Sequence, residues 1–514
     1  MTTLRTLLTT FALLHASLPA VDVPMESLQG TGIWISPLPK KLDDREAPLR
    51  VTVWFDKQLL GDGEGYQRRA EEFDQTGRRE LRQAVIAALK EQSEESYLAA
   101  KDDLDHLQER GVLSELQRHW IINGFSCTMR YEDVFALARI PHIRKVFLRP
   151  PPRLRRGELP EAPEIPALPP LETPDQENFP WYISKLQADR VWREFGVAGQ
   201  GTLNVIHDKN FIITDHLARS VYRNPGEIEG NGIDDDGNGY IDDVHGYNFD
   251  QGQAALYTRP FDGDPKKRTI LHGTSCANIV SGTGDGKGSK QCGVAPLSRW
   301  AGLINQGGIE QSVEWAIEQG ADTYSMSFSR RHFGEYRSHW RKVMEHGNFC
   351  GLFFVSGAGN IARHEEFPYL MNIPQSIPNA VFAAAGVQQD LSKTDFSCVG
   401  PVEWDLEHYQ DGIVQKPEVC AFNAAVPGQF PDGSMHEGLL YGNSYAGPMF
   451  CGTIALMLSA DPDLLPWDLK EIITSTASDV GPAGVDYETG HGLINCYEAV
   501  KEVLHRKALR QSGE

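Results

Sequence analysis

A dense run of prolines between residues 150 and 180 divides this chain. Proline lacks an amide hydrogen and has a fixed φ angle, so such a stretch forms neither a helix interior nor a central strand. We therefore expect an extended, exposed linker at 150–180, joining a small N-terminal region to a large C-terminal region. Its prolines are Pro150, Pro151, Pro152, Pro160, Pro163, Pro166, Pro169, Pro170, Pro174 and Pro180.

Length, charge and the first residues limit the function classes. The 514 residues exceed one typical domain, and a net charge of -21 disfavours nucleic-acid or anionic-membrane partners because like charges repel. Arg5 followed by a short apolar run over 7–18 predicts a signal peptide at 1–20, and hence a secreted or periplasmic protein. No later apolar stretch is long enough to span a membrane, and we expect a monomer.

Apolar patterning predicts a small α+β domain over 21–149. β-forming residues predict strands at 49–55, 120–129 and 143–148. Leu81, Val85 and Leu89 recur at helical spacing and predict a long helix over 71–109, and a shorter helix is expected over 131–140. This region contains no obvious cluster of catalytic residue types.

The region 181–505 alternates strand-like and helix-like segments, which predicts a mostly parallel sheet with helices on both faces. Residues 506–514 are expected to be a tail. The strand-like segments are 203–206, 299–304, 352–355, 380–385 and 418–425, and the helix-like segments are 312–318, 446–459 and 466–475.

Four segments of this region carry polar residues where active sites of parallel α/β folds lie. Asp208 ends an apolar strand, His272 opens an apolar helix as His-Gly-Thr, Asn360 follows a strand that breaks into glycines, and Ser444 precedes a long apolar helix. A histidine can act as general base, a carboxylate can orient it, and an amide can donate to an oxyanion. Each residue alone has an ordinary structural role, such as a helix cap or a turn, so the combination carries the hypothesis.

In the order Asp, His, Asn, Ser these segments resemble the subtilisin-like serine peptidases over roughly residues 180–500. The resemblance implies a subtilisin-like three-layer α/β domain that hydrolyses polypeptides as a secreted serine endopeptidase. It implies that Asp208, His272 and Ser444 are catalytic and that Asn360 contributes to the oxyanion hole. The G-x-S-x-G elbow of esterase-type α/β-hydrolases is missing from the Ser444 segment, which disfavours that alternative.

The resemblance also assigns the substrate and the N-terminal domain. It implies that polypeptide binds along Ser327, Phe328 and Ser329 and along Gly357, Ala358 and Gly359. The domain at 21–149 resembles the inhibitor-like propeptides of the same family. It implies a zymogen with its own propeptide as intramolecular inhibitor, and a mature form that begins within 153–180.

The position of the catalytic acid is open from sequence. The family usually has Asp-Thr/Ser-Gly after the first strand, whereas this chain has Asp208-Lys209-Asn210. Counting forward from the preceding glycines favours Asp208, with Asn210 in place of a glycine that needs a left-handed backbone. Counting back from Leu217 instead puts His207 at the acid position. The second alternative is a weak or inactive pseudopeptidase that binds peptide or a partner protein.

An acidic loop follows the first strand and predicts a structural calcium site. Asp234, Asp236, Asn238, the Tyr240 carbonyl and Asp242 supply oxygens at the spacing of the first part of an EF-hand loop, although the twelfth position lacks the usual glutamate. Hard cations favour such oxygen clusters, since uncompensated carboxylates repel one another. The alternative is a solvated acidic turn.

Overall fold

The computed structural model describes residues 33–38, 47–61, 65–74, 76–149, 179–254, 256, 271–284, 292–331, 333–363, 372–429 and 435–512. The expected signal peptide and nearly all of the proline-rich stretch lie outside these ranges. No helix in the described ranges is long and apolar enough to cross a membrane.

The N-terminal region folds into the expected α+β unit, built on a five-stranded sheet of order β1-β5-β2-β4-β3. β1 runs parallel to β5, and the other neighbours are antiparallel. The elements are β1 (Trp34–Ile35), β2 (Leu49–Phe55), α1 (Gly65–Phe73), α2 (Arg78–Glu109), β3 (Leu113–His119), β4 (Gly124–Met129), a 3-10 helix (Tyr131–Arg139) and β5 (Ile143–Arg149).

Three elements of this unit differ from the sequence prediction. The helix predicted over 71–109 is two helices, because α2 begins anew after Gly77 in an extended conformation. Strand β3 was not predicted, since it lies at the sheet edge and its polar residues mostly face solvent. β4 begins only at Gly124, where an added Cβ would lie 2.0 Å from the carbonyl oxygen of Val53.

The C-terminal region is organised around a seven-stranded parallel sheet of order β14-β11-β10-β9-β6-β8-β7. Its strands are β6 (Leu203–His207), β7 (Gly246–Asn248), β8 (Arg299–Ile304), β9 (Thr323–Met326), β10 (Phe353–Gly357), β11 (Val381–Val387) and β14 (Val419–Phe422). Two hairpins pair β12 (Val402–Leu406) with β13 (Tyr409–Val414) and β15 (Val426–Gln429) with β16 (Met435–Leu440).

Helices complete the α/β architecture. Long α9 lies beside α6 and packs on the central strands, while α8 packs on β10 with α7 next to it. The helices are α3 (Trp181–Lys185), α4 (Ala188–Phe195), α5 (Asp215–Ala218), α6 (His272–Ser281), α7 (Glu310–Glu318), α8 (Tyr336–Phe349), α9 (Asn443–Ala460), α10 (Pro466–Thr476) and α11 (Cys496–Ser512). The predicted mostly parallel three-layer fold is confirmed, although α11 continues to Ser512, into the residues expected to be a tail.

The two regions share one hydrophobic core. A single cluster of buried apolar side chains includes Trp54 and Leu60 from the N-terminal unit and Phe349 from α8. The ring of Tyr66 meets that of Phe349 edge-on, with centroids 5.2 Å apart. A second cluster lies inside the N-terminal unit, between its sheet and its helices. The N-terminal unit therefore has its own core and also packs closely on α8.

Candidate active site

Asp208 and His272 meet at the carboxyl end of the parallel sheet. Asp208 directly follows β6, and its amide donates to the carbonyl of Leu303 (2.9 Å), which continues the sheet pairing. His272 is the first residue of α6, and its Nδ1 lies 2.7 Å from Oδ2 and 2.9 Å from Oδ1 of Asp208. The carboxylate side chain is 4% exposed and the imidazole 27% exposed. The Asp208 carboxylate is therefore shielded from solvent, while the His272 imidazole remains partly accessible to it.

His207 points away from this pair. Its Nε2 lies 2.8 Å from the carbonyl of Asn305, and its Nδ1 lies 2.9 Å from the hydroxyl of Tyr324. Its ring also packs edge-on against Phe328. Burial lowers the pKa of His207 to about 4, so it is a neutral core histidine. Asn210 has φ of 59°, the left-handed backbone expected of a residue in place of glycine.

The electrostatics of His272 are set by two opposing effects. Burial alone would lower the pKa of His272, but the adjacent Asp208 carboxylate outweighs burial and holds this pKa well above its usual value. Because the carboxylate accepts the Nδ1 hydrogen, Nε2 carries the free lone pair in the neutral ring. The pair is thus arranged to take up a proton at Nε2.

Ser444 lies in the first turn of α9. Its Oγ donates to the carbonyl of Ser327 (3.3 Å), and Ser327 Oγ donates to the carbonyl of Ser444 (2.8 Å). Among the described residues no hydrogen bond joins Ser444 Oγ to His272. The neighbouring Tyr445 ring lies 5.7 Å from the imidazole between centroids, so the first turn of α9 lies beside His272.

Asn360 is exposed just beyond β10, and Asn443 fixes its orientation. Asn360 Oδ1 accepts the amide hydrogen of Asn443 (2.7 Å), which leaves its side-chain NH₂ free to donate elsewhere. Asn443 Nδ2 donates to the carbonyl of Gly359 (2.7 Å) and to Ser397 Oγ (2.9 Å). Sequence reasoning missed this organising role. Its signal was a polar residue placed directly before Ser444, and the side chain is almost fully buried.

The predicted substrate segments flank Ser444 on neighbouring strands. Ser327, Phe328 and Ser329 directly follow β9, and Gln375 Nε2 holds them by donating to the carbonyl of Phe328 (2.9 Å) and to Ser329 Oγ (2.6 Å). No sequence signal marked Gln375.

The second segment, Gly357, Ala358 and Gly359, closes β10 and continues to Asn360. A Cβ at Gly357 would lie 1.9 Å from the carbonyl oxygen of Asn443, so only glycine allows α9 to approach here. The two segments lie on adjacent parallel strands, since β9 pairs with β10. Both segments therefore reach the start of α9, where Ser327 contacts Ser444 and Gly357 contacts Asn443.

Cys276 lies next to the Asp208–His272 pair. Its Sγ is 3.9 Å from His272 Nδ1 and 3.5 Å from the carbonyl oxygen of Ser444. The thiol is fully buried, and burial raises its pKa. All eight cysteines of the chain are free and buried, so no disulfide forms in this structure.

The acidic loop brings three carboxylates together. Glu227, Asp234 and Asp236 each offer an oxygen, and these oxygens lie within 4.8 Å of one another. Glu227 Oε1 accepts the amides of Asp235 (3.0 Å) and Asp236 (3.2 Å), whereas its Oε2 is buried with no hydrogen-bond partner. Burial, with the charges of Asp243 and Asp236 acting in the same direction, raises the pKa of Glu227. A hard cation fits this donor set and its orphaned oxygen.

Two other predicted calcium ligands, Asn238 and Asp242, stabilise the loop through hydrogen bonds within it. Asn238 Nδ2 donates to the carboxylates of Asp236 (3.1 Å) and Asp243 (2.9 Å), and Asn238 Oδ1 accepts the amide of Tyr240 (2.8 Å). The Asp242 carboxylate accepts backbone amides from Gly230, Asn231 and Gly232. The structure thus joins Asp234 and Asp236 with Glu227, a residue that sequence reasoning did not assign as a ligand.

Comparison with protein-family models identifies the family of this chain. Residues 205–492, more than half of the chain, match the model of the Subtilase family. This chain belongs to the subtilase family. Bacillopeptidase F of Bacillus subtilis is 23% identical over 458 residues, which cover 82% of this subtilase and 29% of that protein.

Two further comparisons are more partial. A probable subtilase-type serine protease of Deinococcus radiodurans is 28% identical over 249 residues, covering 46% of this subtilase and 33% of that protein. This subtilase therefore spans a third or less of the length of these two relatives. A crystal structure of MycP1 with its N-terminal propeptide removed aligns with 19% identity and a TM-score of 0.46, over 63% of this subtilase and 97% of that chain.

Proposed function

We propose that this subtilase is a serine endopeptidase with the triad Asp208, His272 and Ser444. The observation that carries the proposal is that both carboxylate oxygens of Asp208 lie within hydrogen-bond distance of His272 Nδ1, at 2.7 and 2.9 Å. A buried carboxylate in this position selects the imidazole tautomer whose Nε2 can accept a proton. The proposal is supported by the neighbour of Ser444 in the first turn of α9, Tyr445, whose ring centroid lies 5.7 Å from that of the imidazole. The N-terminus of this helix favours developing negative charge.

The reaction follows from these positions. After a side-chain rotation away from Ser327, Ser444 Oγ attacks the substrate carbonyl while His272 Nε2 takes its proton. The Asp208 carboxylate stabilises the resulting imidazolium. The carbonyl oxygen becomes an oxyanion that accepts hydrogen bonds from the Asn360 side-chain amide and the Ser444 backbone amide. His272 then gives the proton to the leaving amine as the C–N bond breaks, which leaves the acyl group on Ser444 Oγ. A water molecule, deprotonated by His272 Nε2, attacks this ester, and His272 returns the proton to Ser444 Oγ as the acid product leaves.

The substrate in this proposal is an extended polypeptide. Segment 327–329 continues β9, and segment 357–359 closes β10, so an extended peptide between them can pair with backbone amides and carbonyls. Side chains of the peptide then enter the space framed by Gly357, Ala358 and Gly359.

A labelling experiment separates this function from the pseudopeptidase alternative. The parent protein is expected to react with a fluorophosphonate probe and to degrade casein, and Ser444→Ala is expected to lose both. Cys276→Ser is a matched control and is expected to keep both, because Cys276 Sγ lies 3.5 Å from the carbonyl oxygen of Ser444 but is not the proposed nucleophile. No labelling of the parent, with casein turnover equal to that of Ser444→Ala, contradicts the endopeptidase proposal.

The N-terminal unit is proposed to be a propeptide that inhibits the enzyme within one secreted chain. Its sheet packs beside α7 and α8, and β5 ends at Arg149, four positions before the region proposed for cleavage at 153–180. N-terminal sequencing of the secreted protein is expected to give a start within 153–180. A start near residue 21 contradicts the precursor proposal.

We further propose that the mature protein is a monomer. Light scattering of the secreted form is expected to give the mass of one chain, and the mass of two or more chains contradicts this proposal.

The acidic loop is proposed to hold one structural Ca²⁺ between Glu227, Asp234 and Asp236. Three carboxylates within 4.8 Å, one with an orphaned buried oxygen, repel one another unless a cation neutralises them. The ion would stiffen the loop that precedes β7. A chelator is then expected to lower the melting temperature, and an unchanged melting curve contradicts the site.

A further inference from the structure

The space between the two proposed substrate segments is narrow at Ser329 and Gly359. We call the space between residues 327–329 and residues 357–359 the S1 space. A peptide whose scissile carbonyl lies at Ser444 would direct the side chain of the residue before the scissile bond into it. A Cβ built on Gly359 would lie 3.5 Å from Ser329 Oγ, which is van der Waals contact. One methyl group therefore fills the distance between Gly359 and the serine hydroxyl.

The Ser329 hydroxyl is held in this position by Gln375. Gln375 Nε2 donates to Ser329 Oγ (2.6 Å) and to the carbonyl of Phe328 (2.9 Å). A carbonyl oxygen only accepts, so the contact with Phe328 requires the NH₂ group on this side and fixes the orientation of the amide. Gln375 is 2% exposed, and side chains in such close-packed surroundings keep one rotamer. The hydroxyl is thus oriented by a side chain that solvent does not reach.

Cys398 closes the S1 space beside Gly359. A Cβ on Gly359 would lie 3.2 Å from Cys398 Sγ. The amide of Cys398 donates to the carbonyl of Gly359 (3.0 Å), and its Sγ accepts the amide hydrogen of Ile361 (3.3 Å). Cys398 is fully buried, so both its backbone and its side chain are fixed next to Gly359. The thiol and the serine hydroxyl together bound the S1 space.

The backbone of Ser329 is available to an extended peptide. Ser329 is exposed, and among the described residues none bonds to its amide or its carbonyl. Successive residues of an extended segment direct these groups to opposite edges, so the Phe328 carbonyl that Gln375 occupies points away from the peptide. A peptide that pairs with Ser329 therefore lies on the edge opposite Gln375.

The S1 space offers no partner for a charged side chain. The described residues named above that border it are all uncharged in type, and burial raises the pKa of the Cys398 thiol, which keeps it neutral. The next residue along the segment, Arg330, adds a positive charge over the Phe328 ring, 5.1 Å from its centroid. A lysine or arginine side chain enclosed here would lack the carboxylate that a buried cation needs.

We propose that this subtilase cleaves after residues with small uncharged side chains, namely glycine, alanine and serine, because Ser329 and Cys398 close the S1 space and Gln375 holds Ser329 in place. The proposal rests on the proposed endopeptidase function and names the substrate class of the same site. Ser329 is the specificity-determining residue, and Gln375 is a positioning residue that acts through it.

A large side chain before the scissile bond has a specific effect in this proposal. Phenylalanine would displace the Ser329 hydroxyl and break its hydrogen bond to Gln375, which leaves a buried N–H without an acceptor. A single methylene group more or less in a substrate pocket already changes kcat/KM by about 10- to 200-fold. We therefore expect kcat/KM for alanine at this position to exceed that for phenylalanine by at least about tenfold.

The test uses the protein as secreted. Mass spectrometry of a casein digest identifies the residue before each cut, and glycine, alanine and serine are expected there. Synthetic peptides that differ only at this position, with alanine, phenylalanine or lysine, then give the ratio of their kcat/KM values. Because each ratio compares two substrates of one enzyme preparation, it does not depend on the fraction of active enzyme.

Three variants separate specificity from structure. Ser329→Gly is expected to lower the alanine-to-phenylalanine ratio at least about tenfold. Gln375→Leu is expected to lower it less, by freeing the hydroxyl, and to have no further effect in a Ser329→Gly background, since it acts through Ser329. Ser392→Gly is the matched control, because Ser392 is an exposed serine outside the S1 space whose Oγ accepts from Gln388 Nε2 (3.0 Å). It should keep the parent ratio.

Two results overturn the proposal while leaving the endopeptidase function intact. One is a parent that cuts mainly after large or charged residues, a result that is independent of how the variants fold. The other is an active Ser329→Gly variant with the parent ratio. A Gln375→Leu effect of equal size with and without Ser329→Gly contradicts the positioning role. No cleavage of any peptide, with no fluorophosphonate labelling, contradicts the endopeptidase function itself and this proposal with it, so the two failures are distinguishable.

Discussion

His272 Nδ1 lies 2.7 Å from Oδ2 of Asp208, although the two residues are 64 positions apart in the chain. The contact joins the end of β6 to the start of α6. It depends on the order of the strands, because β6 is an interior strand of the parallel sheet, between β8 and β9. Its main chemical effect is on the acid–base behaviour of His272.

The pH dependence of catalysis is the first prediction. Because the Asp208 carboxylate holds the pKa of His272 above its usual value, the neutral base is lost at a higher pH as the solution is acidified. We expect the acid limb of the kcat/KM profile to have a midpoint above about 6.5. Asp208→Asn is expected to lower kcat by about 10⁴ and to move the acid limb downward. Lys209→Gln, an exposed neighbour, serves as the control and should leave the profile unchanged.

The second prediction concerns the oxyanion. Asn360→Ala removes the side-chain amide that Asn443 orients, and loss of one such donor lowers kcat by about 10² to 10³ with little change in KM. Asn443→Ala is expected to act indirectly, through Asn360, and to combine with Asn360→Ala less than additively. Steady-state kinetics on a peptide substrate checks both variants. Equal kcat for Asn360→Ala and the parent contradicts the assignment.

Calcium gives a third prediction with a neighbouring control. Glu227→Gln removes one charge and one ligand from the acidic cluster and is expected to weaken Ca²⁺ binding and reduce the rise in melting temperature on adding Ca²⁺. A site filled at 100 times its Kd stabilises a protein by about 2.7 kcal/mol. Glu229→Gln alters an exposed partner of Arg223 in the same loop and should keep the full rise. Equal rises in the two variants contradict the proposed ligand set.

The fourth prediction compares adjacent arginines. Arg78→Ala leaves Asp322 buried without its cation, and breaking a buried ion pair in this way destabilises a protein by about 3 to 5 kcal/mol. Arg79→Ala breaks only an exposed pair with Asp463, which is worth about 1 kcal/mol or less. Urea unfolding in a Ser444→Ala background, which avoids self-digestion, measures both. Similar losses in the free energy of unfolding for the two variants contradict a stabilising role of the buried Arg78–Asp322 ion pair.

Local sequence signals were sufficient for the fold class and for most elements. Short apolar runs that alternate with helix-like segments predicted the parallel sheet, because strands that are buried on both faces are apolar throughout. The edge strand β3 and the break before α2 were missed. Edge residues face solvent and follow no strict apolar period, and a glycine can interrupt a helix without changing the pattern around it.

The sequence by itself determined which residue types could do chemistry, through motifs whose local backbone needs are strong, such as His-Gly-Thr at the start of α6 and Ser444 at the start of α9. It left Asp208 and His207 open, because neighbours on a strand point to opposite faces and one step of register exchanges them. Only the tertiary structure turned Asp208 to His272 and His207 into the core. The role of Asn443 was likewise decided there, since its contact with Asn360 joins residues 83 positions apart. The place of Glu227 among the loop carboxylates depends on the folded conformation of the loop, which no local pattern indicated.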